Sequence, residues 1–138
     1  MEVNLYAVGL CGVLAMIIGG IWYGPLFGNK WLKVVGANVH DIEARKKMQK
    51  VAGPLYLVQF ILTLFQAYVL AHFINGWKDA SGIETSLWIW AAFVMPIVAG
   101  SAMWNNDSKH IAWTRFLLQA GYQLILFILF GCILGSWK

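Results

Sequence analysis

Charge is what this chain mostly lacks. Only 12% of its 138 residues are charged, 10 Lys+Arg and 6 Asp+Glu, against a usual share of roughly 25%. None of those residues falls inside four long apolar runs that make up most of the sequence. An uncharged run of about 20 residues matches the ~30 Å hydrocarbon core of a bilayer. The pattern excludes an ordinary soluble domain and predicts an all-α integral membrane four-helix bundle. The chain is long enough for one such bundle and too short for a second domain, so residues 1–138 read as a single membrane domain.

Other absences narrow the function. There is no Asp, Glu, Lys or Arg within a span, which argues against a proton-coupled pump or a voltage sensor. Cys11 and Cys132 are the only cysteines, both in apolar runs; they read as small buried hydrophobes rather than a disulfide framework or metal ligands. His40, His72 and His110 do not pair at one membrane level, so a bis-His haem is not expected. His40-Asp41, and His110 with Asp107, read as solvated loop residues rather than acid–base pairs. The sequence has no HExxH, GxSxG, P-loop or GxGxxG motif. It therefore nominates no catalytic residue, no metal site and no cofactor.

The apolar runs predict spans at about 4–23, 52–75, 85–104 and 116–136. Gly24-Pro25 should stop or kink the first, Pro54 suits the first turn of the second, and Pro96 should kink the third. The first run opens with Met1-Glu2 and ends in Trp22-Tyr23-Gly24-Pro25. It lacks the basic start and small-residue cleavage pattern of a signal peptide, so it reads as a permanent helix. Trp31, Trp77, Trp88, Trp104, Trp113 and Trp137 lie near the predicted boundaries, where indole rings prefer the headgroup level.

The net charge of +4 and isoelectric point near 9.2 reflect loop charge rather than nucleic-acid binding. Lys30, Lys33, Arg45, Lys46, Lys47, Lys50, Lys109 and Arg115 belong to the first and third loops, whereas only Lys78 and Lys138 belong to the second loop and the tails. The positive-inside rule then places loops one and three in the cytoplasm and both termini outside a bacterial inner membrane, with membrane lipids as partners. Within the first loop, 28–51, Asn38 is expected to cap a short helix over Ile42–Gln49, with Asp41 in its first turn.

Two patterns bear on architecture. Trp22 and Trp31 are spaced like Trp104 and Trp113, and Tyr56-Leu57-Val58-Gln59 resembles Phe116-Leu117-Leu118-Gln119, which suggests two repeated helical hairpins. Small residues recur every four positions at Ala7, Cys11, Ala15 and Gly19, at Gly20 and Gly24, at Ala67 and Ala71, and at Gly131 and Gly135. Such ridges let helix backbones approach closely, within one chain or between copies of a homo-oligomer.

Polar side chains inside the spans are the main candidates for a site. Tyr56, Gln59, Thr63 and Gln66 share one face of the second span, and Gln119, Tyr122 and Gln123 cluster on the fourth. Tyr23 and Ser101 lie at the same level on the first and third. An amide in hydrocarbon needs partners, so Gln59 is expected to face Gln119, Tyr122 or Gln123 across the bundle interior. Tyr23, Gln59, Thr63, Ser101, Gln119, Tyr122 and Gln123 are therefore the candidate ligand-binding set. Interhelical hydrogen bonding that merely holds the bundle together is the competing account.

The sharpest motif is Trp22-Tyr23-Gly24-Pro25-Leu26-Phe27-Gly28-Asn29-Lys30-Trp31. Gly24 and Pro25 break the helix, Gly28 permits a second turn, and Trp22, Phe27 and Trp31 pin the turn at the interface. The motif resembles the signature of the DUF1761 family, small four-helix bacterial membrane proteins of uncharacterised function. The likeness extends over nearly the whole chain. It takes in the charged first loop, the Tyr56–Gln59 entry to the second span, the Trp near the end of the third, and Gly121-Tyr122 near the start of the fourth. Trp104-Asn105 departs from it, since the resemblance implies an acidic residue directly after that Trp. The resemblance implies a fold and a location and no catalytic residues. The leading reading is thus a non-enzymatic protein that binds or passes a small neutral or amphipathic molecule, the ligand itself being unknown. The alternatives are a small membrane enzyme acting on a lipid-soluble substrate, or a structural or regulatory subunit.

Overall fold

A computed structural model describes residues 3–34 and 42–137. Asn4 opens helix α1 (Leu5–Ile21) by accepting from the Tyr6 and Ala7 backbone N–H groups at 3.0 and 3.3 Å. A wide π-type turn over Trp22–Leu26 separates α1 from α2 (Gly28–Val34). The long α3 (Ile42–Gly76) leads to α4 (Gly82–Ile89), which Ser81 caps by accepting from the Glu84 N–H. A second π-type turn, Trp90–Val94, precedes α5 (Met95–Met103); α6 (Lys109–Ser136), capped by Ser108, completes the chain. Four helical stretches, Leu5–Leu26, Lys50–Gly76, Gly82–Met103 and Lys109–Ser136, are long and apolar enough to cross a membrane. The result is an all-α integral membrane four-helix bundle.

The helix boundaries correct several expectations. The helix expected over Ile42–Gln49 is not a separate piece: it is the start of α3, which runs on for 35 residues. Pro54 consequently lies inside α3 rather than in a first turn. The carbonyl it leaves unpaired four residues back is that of Lys50, an exposed residue at the basic end where water can take the bond. The Asn38 cap and Asp41 lie outside the described residues. The third spanning stretch starts at Gly82 and takes in Glu84, and the fourth starts at Lys109 and takes in Arg115. Pro96 acts ahead of itself: the helix widens over Trp90–Val94 and restarts with Pro96 in the first turn of α5, where its missing N–H is harmless.

Each hairpin pairs chiefly with itself, α1 with α3 and α4 with α6, and α6 also packs against α1, α2, α3 and α5. Both hairpins have a π-type turn in their first helix, and both turns begin with a Trp. They share a plan without sharing a register. Trp22 is partly buried, whereas its counterpart Trp104 is exposed at 88%.

The core lies in the half of the bundle that carries the chain ends, joined there by the Asn4 amide donating to the Trp137 carbonyl at 3.2 Å. It comprises Ala7, Cys11 and Ala15 of α1, Ala67, Leu70, Ala71 and Ile74 of α3, and Leu126, Phe127, Phe130 and Leu134 of α6. The small-residue ridges of α1 and α3 are therefore buried within the chain. So is the ridge of α6: a Cβ on Gly131 would stand 2.7 Å from the Gly82 carbonyl oxygen, and one on Gly82 would collide with the Gly131 carbonyl. Close backbone approach of this kind is what small residues permit between membrane helices. Only Gly20 and Gly24 of these ridges face open space.

Candidate functional site

The opposite half, where the basic loops attach, is built around the aromatic turn. Gly24 leaves helical geometry (φ −110°, ψ −105°), and Pro25 offers no N–H to carry the helix on. The chain recovers through Phe27, whose N–H donates to the Trp22 carbonyl at 3.0 Å, and Trp31, whose N–H donates to the Phe27 carbonyl at 2.9 Å. This turn aims Trp22 at α6, where its indole N–H donates to the Leu118 carbonyl at 3.0 Å. From the other π-type turn, the Trp90 indole donates to the Ala120 carbonyl at 3.2 Å. Two widened turns thus clamp neighbouring positions of one α6 stretch.

Tyr122 completes the wall. Its hydroxyl donates to the Ala15 carbonyl at 2.8 Å, and Gly19 leaves it room, since a Cβ there would stand 2.8 Å from the phenolic oxygen. Tyr23 meets Tyr122 edge-on with ring centroids 5.3 Å apart, and Trp31 lies against Tyr23 at 4.8 Å. Such spacings suit attractive edge-to-face and tilted aromatic contacts.

A cavity of about 470 Å³ opens beside this wall. It is lined by Tyr23 and Trp31, by Tyr56 and Gln59 of α3, by Ser101 of α5, and by Gln119, Tyr122 and Gln123 of α6. Six of the seven nominated ligand-binding residues thus share one space. The seventh, Thr63, is buried beside it on α3: its hydroxyl donates to the Gln59 carbonyl at 2.8 Å and accepts from the Gln59 amide at 3.2 Å. The turn residues Trp22, Gly24, Pro25, Phe27 and Gly28 shape the wall without lining the cavity.

Gln59 lines the same cavity as Gln119, Tyr122 and Gln123. Among the described residues no hydrogen bond joins Gln59 to Gln119 or Gln123, and Gln59, Tyr56 and Ser101 are exposed at the cavity mouth. The reason is how the helices pack. α3 leans on α1 and α5 on α6, which leaves a slot between α3 and α5. The Gln123 side-chain oxygen, deeper in, is buried and has no hydrogen-bond partner among the described residues.

Among the described residues, no Asp, Glu, Lys, Arg or His lines the cavity, and no group of three or more His, Cys, Asp and Glu is placed to hold a metal. Its chemistry is that of phenols, amides and one hydroxyl. It can orient a molecule by hydrogen bonds and stacking, and it offers no group to ionise a substrate at neutral pH.

Two features escaped the sequence reading. The first is a groove of about 510 Å³ that continues from the cavity along α3 toward the chain-end half, between α3 and the second π-type turn. The helical spacing of Gln59 and Gln66 was its only advance sign. The second is Arg115, taken from sequence as a solvated loop charge. It bonds Asp107 at 3.1 Å and donates to the Val34 carbonyl at 3.2 Å, so it ties the end of α2 to α6 beside the cavity. Nothing in its local sequence signals the Val34 contact, which spans most of the chain.

The fold and the site define a class: a four-span membrane bundle with an uncharged polar cavity in one half. The chain also matches, over residues 6–135, the model of a family described as "Protein of unknown function (DUF1761)". It belongs to that family. No curated protein and no solved structure matches it.

Proposed function

We propose that the protein binds, or passes along the membrane, a small uncharged or amphipathic molecule held in the cavity beside the aromatic turn. The observation that carries this reading is the convergence of Tyr23, Gln59, Ser101, Gln119, Tyr122 and Gln123 on one cavity that, among the described residues, has no ionisable lining beyond tyrosine. Amide, phenol and hydroxyl groups within an apolar bundle need hydrogen-bond partners, and an uncharged polar ligand supplies them. A charged ligand would be desolvated there with no opposing charge. We place the cavity in the cytoplasmic half of a bacterial inner membrane, with both termini outside, because Lys30, Lys33, Lys50, Lys109 and Arg115 gather at its end of the bundle.

Native mass spectrometry of the protein released from membranes in mild detergent tests the binding. A small uncharged adduct is expected on the native protein and should be lost in Gln59→Leu, whose folded yield should hold because, among the described residues, Gln59 bonds within α3 alone. Identical spectra for the two proteins would remove the reading. A periplasm-active reporter fused at Lys138 should be active; a cytoplasm-active reporter working there would reverse the orientation.

A further inference from the structure

The cavity and the groove are not independent, for Gln59 and Gln123 line both. On one side of these two amides the lining is aromatic and polar. On the other it is almost wholly apolar, running past Phe65 and Val69 to Phe73 on α3, with Phe93 on the facing wall. From Gln59 to Phe73 the groove follows α3 for about 21 Å, at ~1.5 Å per residue. That exceeds the roughly 15 Å of one leaflet, half of the ~30 Å hydrocarbon core.

We infer that the ligand is a lipid with an uncharged, hydrogen-bonding head and one long hydrocarbon tail. The head sits in the cavity and the tail lies in the groove along α3. This rests on the proposed binding site and names the chemical class that fills it. The head is uncharged because, among the described residues, no Asp, Glu, Lys, Arg or His lines either space. It carries a hydroxyl or amide because the amides of Gln59, Gln119 and Gln123, the Tyr23 and Tyr122 phenols and the Ser101 hydroxyl line the cavity. The tail is single and long because the groove is one channel that outruns a leaflet. Entry is lateral, through the slot between α3 and α5 where Gln59 and Ser101 are exposed.

Three probes separate the terms: 1-monooleoylglycerol, 1-monobutyrylglycerol with the same head and a short tail, and oleate with the same tail and a charged head. Native mass spectrometry of the purified full chain, titrated with each, reads the bound fraction. Monooleoylglycerol should bind at least about tenfold more tightly than either of the others. Val69→Trp, which fills the groove, should abolish the advantage over the short-tailed probe. Phe93→Trp, an independent block from the opposite wall at a residue 65% exposed, should do the same. Equal binding of the long- and short-tailed glycerides, with the Gln59-dependent adduct still present, would overturn the tail groove and leave the binding site standing. Oleate binding as tightly as monooleoylglycerol would overturn the uncharged head. Failure of every probe together with loss of the Gln59-dependent adduct would overturn both readings.

Discussion

The two halves of this bundle are built by opposite rules. In the chain-end half, backbones touch: Gly82 meets Gly131 and Gly135, and Phe127 and Phe130 are at most 1% exposed. Even the hydroxyls of Thr85 and Ser86 are buried there without partners among the described residues. Their value is small size, for Ser86 Oγ would stand 2.7 Å from a Cβ on Gly131. In the loop half, large aromatic rings hold the helices apart and a cavity remains. The difference follows from how membrane helices associate. Without a hydrophobic drive between helix and lipid, stability comes from close packing, so a chain can leave one half open only if the other half is dense.

The sharpest way to break this contrast is to spoil the dense half. Gly131→Ala puts a Cβ against Gly82 O and Ile83 Cα, both backbone atoms that cannot rotate away. We expect a loss of about 3 kcal/mol, at the upper end of the usual cost of overpacking, in reversible unfolding from mild detergent. Wild-type stability in this variant would mean that the α4–α6 contact is not the foundation of the fold.

A middle-sized effect should come from the hinge between the halves. Tyr122→Phe removes the hydrogen bond to Ala15 but keeps the ring against Tyr23. The Ala15 carbonyl keeps its place in α1, so the loss should be about 0.6 kcal/mol and no more than ~1.7. A larger loss, measured by the same unfolding assay, would show that the cavity wall bears load and is not chiefly a binding surface.

The smallest effect sharpens the comparison by serving as its control. Gly9→Ala makes the same chemical change as Gly131→Ala at a position with open space around it. It should be neutral or stabilise by up to about 1 kcal/mol through helix propensity. If Gly9→Ala were as damaging as Gly131→Ala, the cost would come from α-carbon chemistry in general and not from packing.

Much of the site was legible because membrane burial makes polar residues conspicuous. Gln59, Gln119, Tyr122 and Gln123 stand out in apolar runs, and helical spacing puts each set on one face. What the sequence concealed was the partner of each group. Gln59 shares a cavity with Gln119, Tyr122 and Gln123, while its amide donates to Thr63 on its own helix. Trp22 marks the interface turn in the sequence and Trp90 carries no motif, yet both donate to α6 carbonyls. Backbone carbonyls are the same at every position, so no residue pattern announces which of them an indole will find. Pro54 misled for a related reason: its local rule ends helices, but the bond it forfeits lies at an exposed end where the loss is small.

By itself, the sequence determined the number of spans, the break at Gly24-Pro25 and the set of uncharged polar side chains. Each follows from a local rule: the length of an uncharged run, a missing N–H, and the cost of an amide in hydrocarbon. Only the tertiary structure decided that the small-residue ridges of α1, α3 and α6 close on one another within the chain. It also decided that α3 and α5 stand apart, and that Gln59 and Gln123 join a polar cavity to an apolar groove. Those are relations between helices. They depend on crossing geometry, which arises from the fit of whole helix surfaces and leaves no mark at any single residue.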